Sequence, residues 1–156
     1  MRAKEYSAAQ VAAWILARQA EPISLFKLQA LLYYGQAWSL AMLAQPLFLD
    51  EMEAWSRGPV AVSVWHQGGA NSEAMVTADA FSSPAALDEA LVSLLDGVLQ
   101  AYVPLTDGLL EEMLHQDPAW LEARGELAPE ARCTTPVNWK TMMQHYRALH
   151  SVDKEP

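Results

Sequence analysis

The stretch SLFKLQALLYYGQAWSLAMLAQP, residues 24–46, decides the fold. Ser24 is a good helix cap, because its hydroxyl accepts from a first-turn amide that has no partner within the helix. At the other end Pro46 disfavours helix at Gln45 and cannot continue the hydrogen-bond ladder. Between these limits nearly every position is apolar. At about 100° per residue, Gln29, Gln36 and Ser39 share one narrow stripe, with Lys27 apart from it. A helix that is apolar almost all round is enclosed by protein or by lipid. Its length of about 30 Å suits either. Lys27, Gln29 and Gln36 interrupt the run, however, and no uninterrupted stretch of about 18 apolar residues exists. The sequence therefore predicts a mainly α, compact single-domain bundle around a buried central helix.

The rest of the chain suits that reading. Its 156 residues are enough for one domain with a sizeable core. Hydrophobic residues at 52% and charged ones at 19% belong to a globular protein. The net charge of −9 is uneven: from Glu73 to Glu130 there are twelve acidic residues and one basic residue, Arg124. Such a surface repels phosphate backbones, so no direct nucleic-acid contact is expected, and a basic protein partner suits it better. The one cysteine, Cys133, excludes an internal disulfide framework and fits a reducing cytoplasm. The N-terminal run MRAKEYSAAQ lacks the apolar core of a signal peptide.

Taken in order, Ser7 and Gln10 form a capping-box pattern for a first helix through Val11, Trp14 and Ile15, ending at Glu21-Pro22. Glu53-Ala54-Trp55 reads as a short extended piece, and Gly58-Pro59 as a turn. For 59–66 the alternation of Val60, Val62 and Val64 favours a strand, while Pro59 suits the first turn of a helix. The run 68–83 reads as a loop. Ser83-Pro84 opens an amphipathic helix that turns Leu87, Leu91, Leu94, Leu95, Val98, Leu99 and Tyr102 inward, and Pro104 stops it. Thr106 caps a helix with Leu109, Leu110, Met113 and Leu114 inward. Asp117-Pro118 starts another, closed by Gly125. Thr135-Pro136 opens the last helix, with Trp139, Met142, Met143, Tyr146 and Leu149 on its stripe, and the tail from Ser151 frays.

Little catalytic chemistry is visible. Glu111, Glu112 and His115 make an E-E-x-x-H cluster, but di-metal bundles need two such pairs and further carboxylates. The favoured reading is a His115 bonded to nearby backbone or to a tryptophan. Cys133 lacks any nucleophile signature and reads as a small semi-buried residue. There is no phosphate loop, no G-x-S-x-G and no zinc spacing, so no cofactor, no metal and no enzymatic activity are expected. Aromatic residues carry more. Trp55-Ser56-Arg57-Gly58-Pro59 joins an indole, a guanidinium and a rigid turn, the residue types that gain most at an interface centre. Trp55 itself reads as a core anchor for the turn, with Arg57 exposed. Tyr33, Tyr34 and Trp38 read as core, beside a glutamine stripe that could line a shallow groove.

Together, LFKLQALLYYGQAWSLAMLAQPLFLDEMEAWSRGPVAVSVWHQ (25–67), LHQDPAW (114–120) and TPVNWKTMMQHY (135–146) resemble the Panacea domain of the SocA-like antitoxin family, which includes phage-associated GepA-like proteins. Its members read LxKLQKLLYYAQGWxLA, then PLFxExFEAWxxGPVxPxVY, then LTHxExPW. Ala30 replaces a usual lysine and Val62 a usual proline. The glycine before the LTH helix is replaced near Val103-Pro104. The resemblance covers about Ser7 to Leu149, within a domain of residues 1–150 and a tail of 151–156. It implies a helical fold with one short strand pair near 53–55 and 131–133, and helix over 59–66. It also implies a cytoplasmic, bacterial or phage-borne antitoxin that binds a cognate toxin directly, in one known case as an adaptor delivering it to a AAA+ protease. An accessory protein binding some other host protein is the alternative. On this basis Arg57, Gln36 and Trp65 are the expected partner contacts. Leu28, Gln29, Leu32, Tyr33, Trp55, Gly58, Pro59, His115 and Trp120 are expected to be scaffold. Arg57→Glu is expected to weaken binding with little change in melting temperature.

Overall fold

A computed structural model describes residues 5–81 and 83–154. The start of the expected domain (residues 1–4), Ser82 and the last two residues of the expected tail lie outside the described residues. Helix α2, Leu25–Leu43, runs through the centre. The Ser24 hydroxyl accepts from Lys27 N at 2.9 Å and donates to Asp107, so one side chain both caps this helix and ties it to a later one. The helix ends at Ala44, which takes a left-handed conformation two residues before Pro46. Leu28, Leu31, Leu32 and Tyr33 are fully enclosed.

Around it pack α1 (Ala8–Ala17), α4 (Glu89–Tyr102), α5 (Asp107–Leu114) and α7 (Trp139–Lys154), with α6 (Pro118–Arg124) against α7. The short α3 (Val62–Gln67) completes seven α-helices among the described residues. The capping box at Ser7 and Gln10 is formed, but α1 stops at Ala17, before Glu21-Pro22. Gly35 faces α4: a Cβ there would stand 2.9 Å from Leu47 Cδ2 and 3.0 Å from Leu95 Cδ2. Glycine is what lets these elements close on each other. No helix among the described residues is long and apolar enough to cross a membrane.

Among the described residues two small antiparallel ladders accompany the helices. One pairs β1 (Ile23–Ser24) with β4 (Met75–Val76), inside the expected loop 68–83. The other pairs β2 (Glu53–Ala54) with β3 (Pro59–Val60). The expected partner of β2, residues 131–133, is displaced: Glu53 bridges to Pro136, and Ala54 N donates to Thr135 O at 2.9 Å. Both readings of 59–66 hold in part, since Pro59–Val60 is strand and Val62–Gln67 helix.

Two helix starts move. Helix α4 begins at Glu89 under Asp88, not at Ser83-Pro84. Ala85 N is taken by Gln10 O, and Ala86 O by the Tyr6 hydroxyl, which holds this segment extended across α1. Helix α7 begins at Trp139, because Val137 N is used by Met52 O and Asn138 supplies the cap to Thr141 N. It runs through Ser151 to Lys154. Leu109 and Leu149, expected inward, are 42% and 39% exposed.

Candidate functional site

The turn between β2 and β3 holds Trp55, Ser56, Arg57 and Gly58, and is fastened from behind through its carbonyls. Arg124 donates to Ala54 O at 2.8 Å and Trp120 Nε1 to Trp55 O at 2.9 Å. His115 Nε2 lies 2.9 Å from Ser56 O, which requires the proton on that nitrogen. His115 also stacks on Trp120, with ring centroids 4.8 Å apart. Three side chains, His115 at the C-cap of α5 and Trp120 and Arg124 of α6, thus read three consecutive carbonyls, which gives the E-E-x-x-H histidine its structural use. Among the described residues no group of three or more His, Cys, Asp or Glu side chains is placed to hold a metal ion.

Asp117 positions these donors. It is buried, and its Oδ1 caps α6 by accepting from Ala119 N and Trp120 N. The same carboxylate accepts from Tyr33 at 2.7 Å and Tyr146 at 2.6 Å. One residue therefore joins α2, α6 and α7. Burial first, and the Asp117 charge second, push both phenols well above the usual tyrosine range. Among the described residues every buried side-chain nitrogen and oxygen has a partner.

In front of the turn, Trp55 and Trp65 meet edge to face at 5.2 Å. Both are half-buried. With Phe26, Arg57, Pro59 and Leu114 they wall an apolar hollow of about 200 Å³. Gly58 packs against Leu114, where a Cβ would come within 3.1 Å of Cδ1.

Arg57 is not the freely exposed cation expected. Its side chain is 35% exposed, with Cζ 4.2 Å from the centre of the Phe26 ring. Nη1 meets Glu73 at 2.9 Å, and Nη2 and Nε meet Glu111 at 3.0 and 3.3 Å. Partial burial alone would lower its pKa; the bonds and charges of Glu111 and then Glu73 outweigh that and raise it. Replacing it by glutamate would set a third carboxylate between two others. The expected indifference of the melting temperature to Arg57→Glu is therefore withdrawn.

Gln36 also stands elsewhere than expected. It is 1% exposed, accepts from Leu47 N at 2.7 Å and Phe48 N at 3.3 Å, and donates to Phe48 O at 2.9 Å. Buried and bonded through both its amide oxygen and its amide nitrogen, it presents nothing to a partner. Gln29 does the same for Ala61, accepting from its N–H at 2.9 Å and donating to its carbonyl at 3.1 Å. The polar stripe of α2 is an internal rail that satisfies the backbone crossing it, not a surface groove. Arg124 and Asp117 were not singled out as site residues from the sequence. The signal for Arg124 was its isolation, one cation among twelve acids, yet it is buried on carbonyls, including Ala128 O and Ala131 O at 2.8 Å each.

Fold and site define a small helical domain whose central helix carries a polar rail and braces an aromatic hairpin. Residues 28–121, more than half of the chain, match the family described as Antitoxin SocA-like, Panacea domain, and the chain belongs to that family. The matched segment starts inside α2 and ends inside α6, so it contains the hairpin and its donors His115 and Trp120. No curated protein and no solved structure matches the chain.

Proposed function

We propose that this protein is a non-enzymatic antitoxin that neutralises a toxin encoded beside it by direct binding, with Trp55, Arg57 and Trp65 at the contact. One observation carries the placement: an indole, guanidinium and indole cluster lines an apolar hollow on a hairpin whose backbone is already fixed by three side-chain donors. Tryptophan and arginine are the residue types that dominate interface energetics. A surface immobilised before binding loses little conformational entropy on docking. Membership of an antitoxin family supports a toxin as the partner. The acidic segment 73–130 favours a basic face on that toxin.

Co-expression with the neighbouring gene tests the reading: growth is rescued and the two products co-purify. Absence of both removes it, and a reproducible host partner with no toxic neighbour supports an accessory role instead. Rescue that persists in a host lacking its AAA+ proteases identifies occlusion; rescue that disappears identifies delivery. Arg57→Met keeps an aliphatic stem over Phe26 and gives up the two carboxylates. It should cost about 1 kcal/mol of stability and weaken the complex at least ~10-fold, read by urea melts and titration calorimetry. Unchanged affinity would move the interface away from the hairpin.

A further inference from the structure

We propose that the aromatic hollow receives one apolar side chain of the toxin, and that a lysine or arginine next to that side chain pairs with Glu73. The inference rests on reading the hairpin as the contact, and adds the chemistry of what arrives there. The hollow of about 200 Å³ is lined by Phe26, Trp55, Trp65 and Leu114 among others. A dry cavity of about 150 Å³ holds benzene, so this one accommodates a single aromatic or branched aliphatic side chain. Several polar groups at its lining are already engaged: the Gln29 amide with Ala61, Ser56 O with His115, and Trp55 O with Trp120. Pro59 has no N–H to offer. An apolar occupant therefore leaves these groups bonded as they are.

Charge at the mouth selects what stands beside that side chain. Arg57 itself lines the hollow, and it holds Glu73 at 2.9 Å and Glu111 at 3.0 Å. One cation against two carboxylates leaves one negative charge in excess. On the far side of Trp55, Glu53 accepts from the indole Nε1 at 2.8 Å. A second hollow there is lined by Glu130 and Arg132, whose charges offset each other. Lys27 and Arg124 are turned to backbone carbonyls and do not neutralise the trio. A partner that covers the hollow removes water from these groups, and an uncompensated charge is costly there. A cation from the partner supplies the balance. A second copy of this chain would bring the same excess of negative charge.

Glu73 is the carboxylate placed to receive that cation. Its side chain is 75% exposed, against 31% for Glu111. Its Oε1 meets Arg57, and among the described residues its Oε2 has no hydrogen-bond donor. The backbone carrying it is nonetheless fixed. Glu73 N donates to Asn71 Oδ1 at 3.0 Å. On either side, Ser72 O and Ala74 O accept from Phe26 N and Leu25 N in the first turn of α2. Ser72 also lines the hollow, which sets Glu73 at its edge. An exposed acid on an immobilised segment loses little freedom when it is paired.

Titration calorimetry of the full chain against the product of the neighbouring gene tests the pairing. Glu73→Gln keeps an oxygen for Arg57 and removes the charge. It should weaken binding about 10-fold or more and flatten the loss of affinity with added salt, with the melting temperature nearly unchanged. Asp79→Asn removes the same charge from the exposed turn Ala78–Ala80 against α1, and should change affinity less than about 2-fold. Ser72→Leu sets a side chain at the rim of the hollow and should weaken binding about 10-fold. Full affinity in Ser72→Leu, with an unchanged melting temperature, would mean that no side chain enters. If Glu73→Gln binds no worse than Asp79→Asn, Glu73 only latches its own loop; if it binds more tightly, Glu73 masks Arg57 from an acidic partner. Either result overturns this inference while Arg57→Met, by still weakening the complex, keeps the hairpin as the contact. Normal binding by Arg57→Met removes both.

Discussion

Asp117 accepts four hydrogen bonds at once, two from amides that open α6 and two from phenols on α2 and α7. Asp117→Ala removes a cap and leaves two buried hydroxyls without their acceptor, so it should cost about 3–5 kcal/mol in urea unfolding. Loss of less than about 1 kcal/mol would mean that water replaces the carboxylate. Gln36 makes a sharper case, because the substitution that looks favourable by hydropathy should be harmful. Gln36→Leu leaves Leu47 N, Phe48 N and Phe48 O without their side-chain partner in a buried site. It should lower stability by about 3 kcal/mol, visible as a shift of the denaturation midpoint at constant slope.

At the level of elements, the two helix-interior glycines separate packing from propensity. Gly35→Ala places a methyl against Leu47 and Leu95 at about van der Waals overlap and should destabilise by about 1 kcal/mol despite a better helix former. Gly97→Ala meets no atom and should stabilise by about 0.5–1 kcal/mol. Thermal melts of the pair decide the matter: shifts of the same sign would contradict the packing described. The hairpin follows the same logic. Two residues per strand are too few to hold a turn by their own ladder, and the bonds from His115, Trp120 and Arg124 supply what the ladder lacks.

For the whole molecule, the aromatic cluster between α2, α4 and α7 sets an alkaline limit. Tyr34 stacks on Tyr102 at 3.9 Å, and Trp38 donates to the Tyr102 hydroxyl at 3.0 Å. Burial first, and neighbouring phenols or Asp117 after it, raise Tyr33, Tyr34 and Tyr146 above their ordinary value; burial likewise raises Tyr102. A phenol whose folded pKa lies above the unfolded one leaves stability intact below about pH 10. Above that pH the unfolded chain releases protons that the folded one keeps. Stability then falls by about 1.4 kcal/mol per pH unit for each such tyrosine, until its folded pKa is reached. Tyrosinate absorbance should therefore rise in one cooperative step that coincides with loss of helix by circular dichroism. A gradual rise in the fully helical protein would refute the buried placement of these phenols.

The apolar run of 25–43, its serine cap and the absence of a continuous lipid-length segment were sufficient for the central helix and the helical class, because a helix with no polar face has to be enclosed. The hairpin motif and the DPAW element were legible as residues. That one fastens the other was not, since Trp120 and Trp55 meet across 65 positions of chain. Tertiary structure alone decided that the glutamine stripe faces inward, that Arg57 is clamped between carboxylates, and that α4 starts at Asp88 in preference to Ser83. In each case a polar group had several acceptable local partners, and the backbone brought beside it by folding determined which one it took.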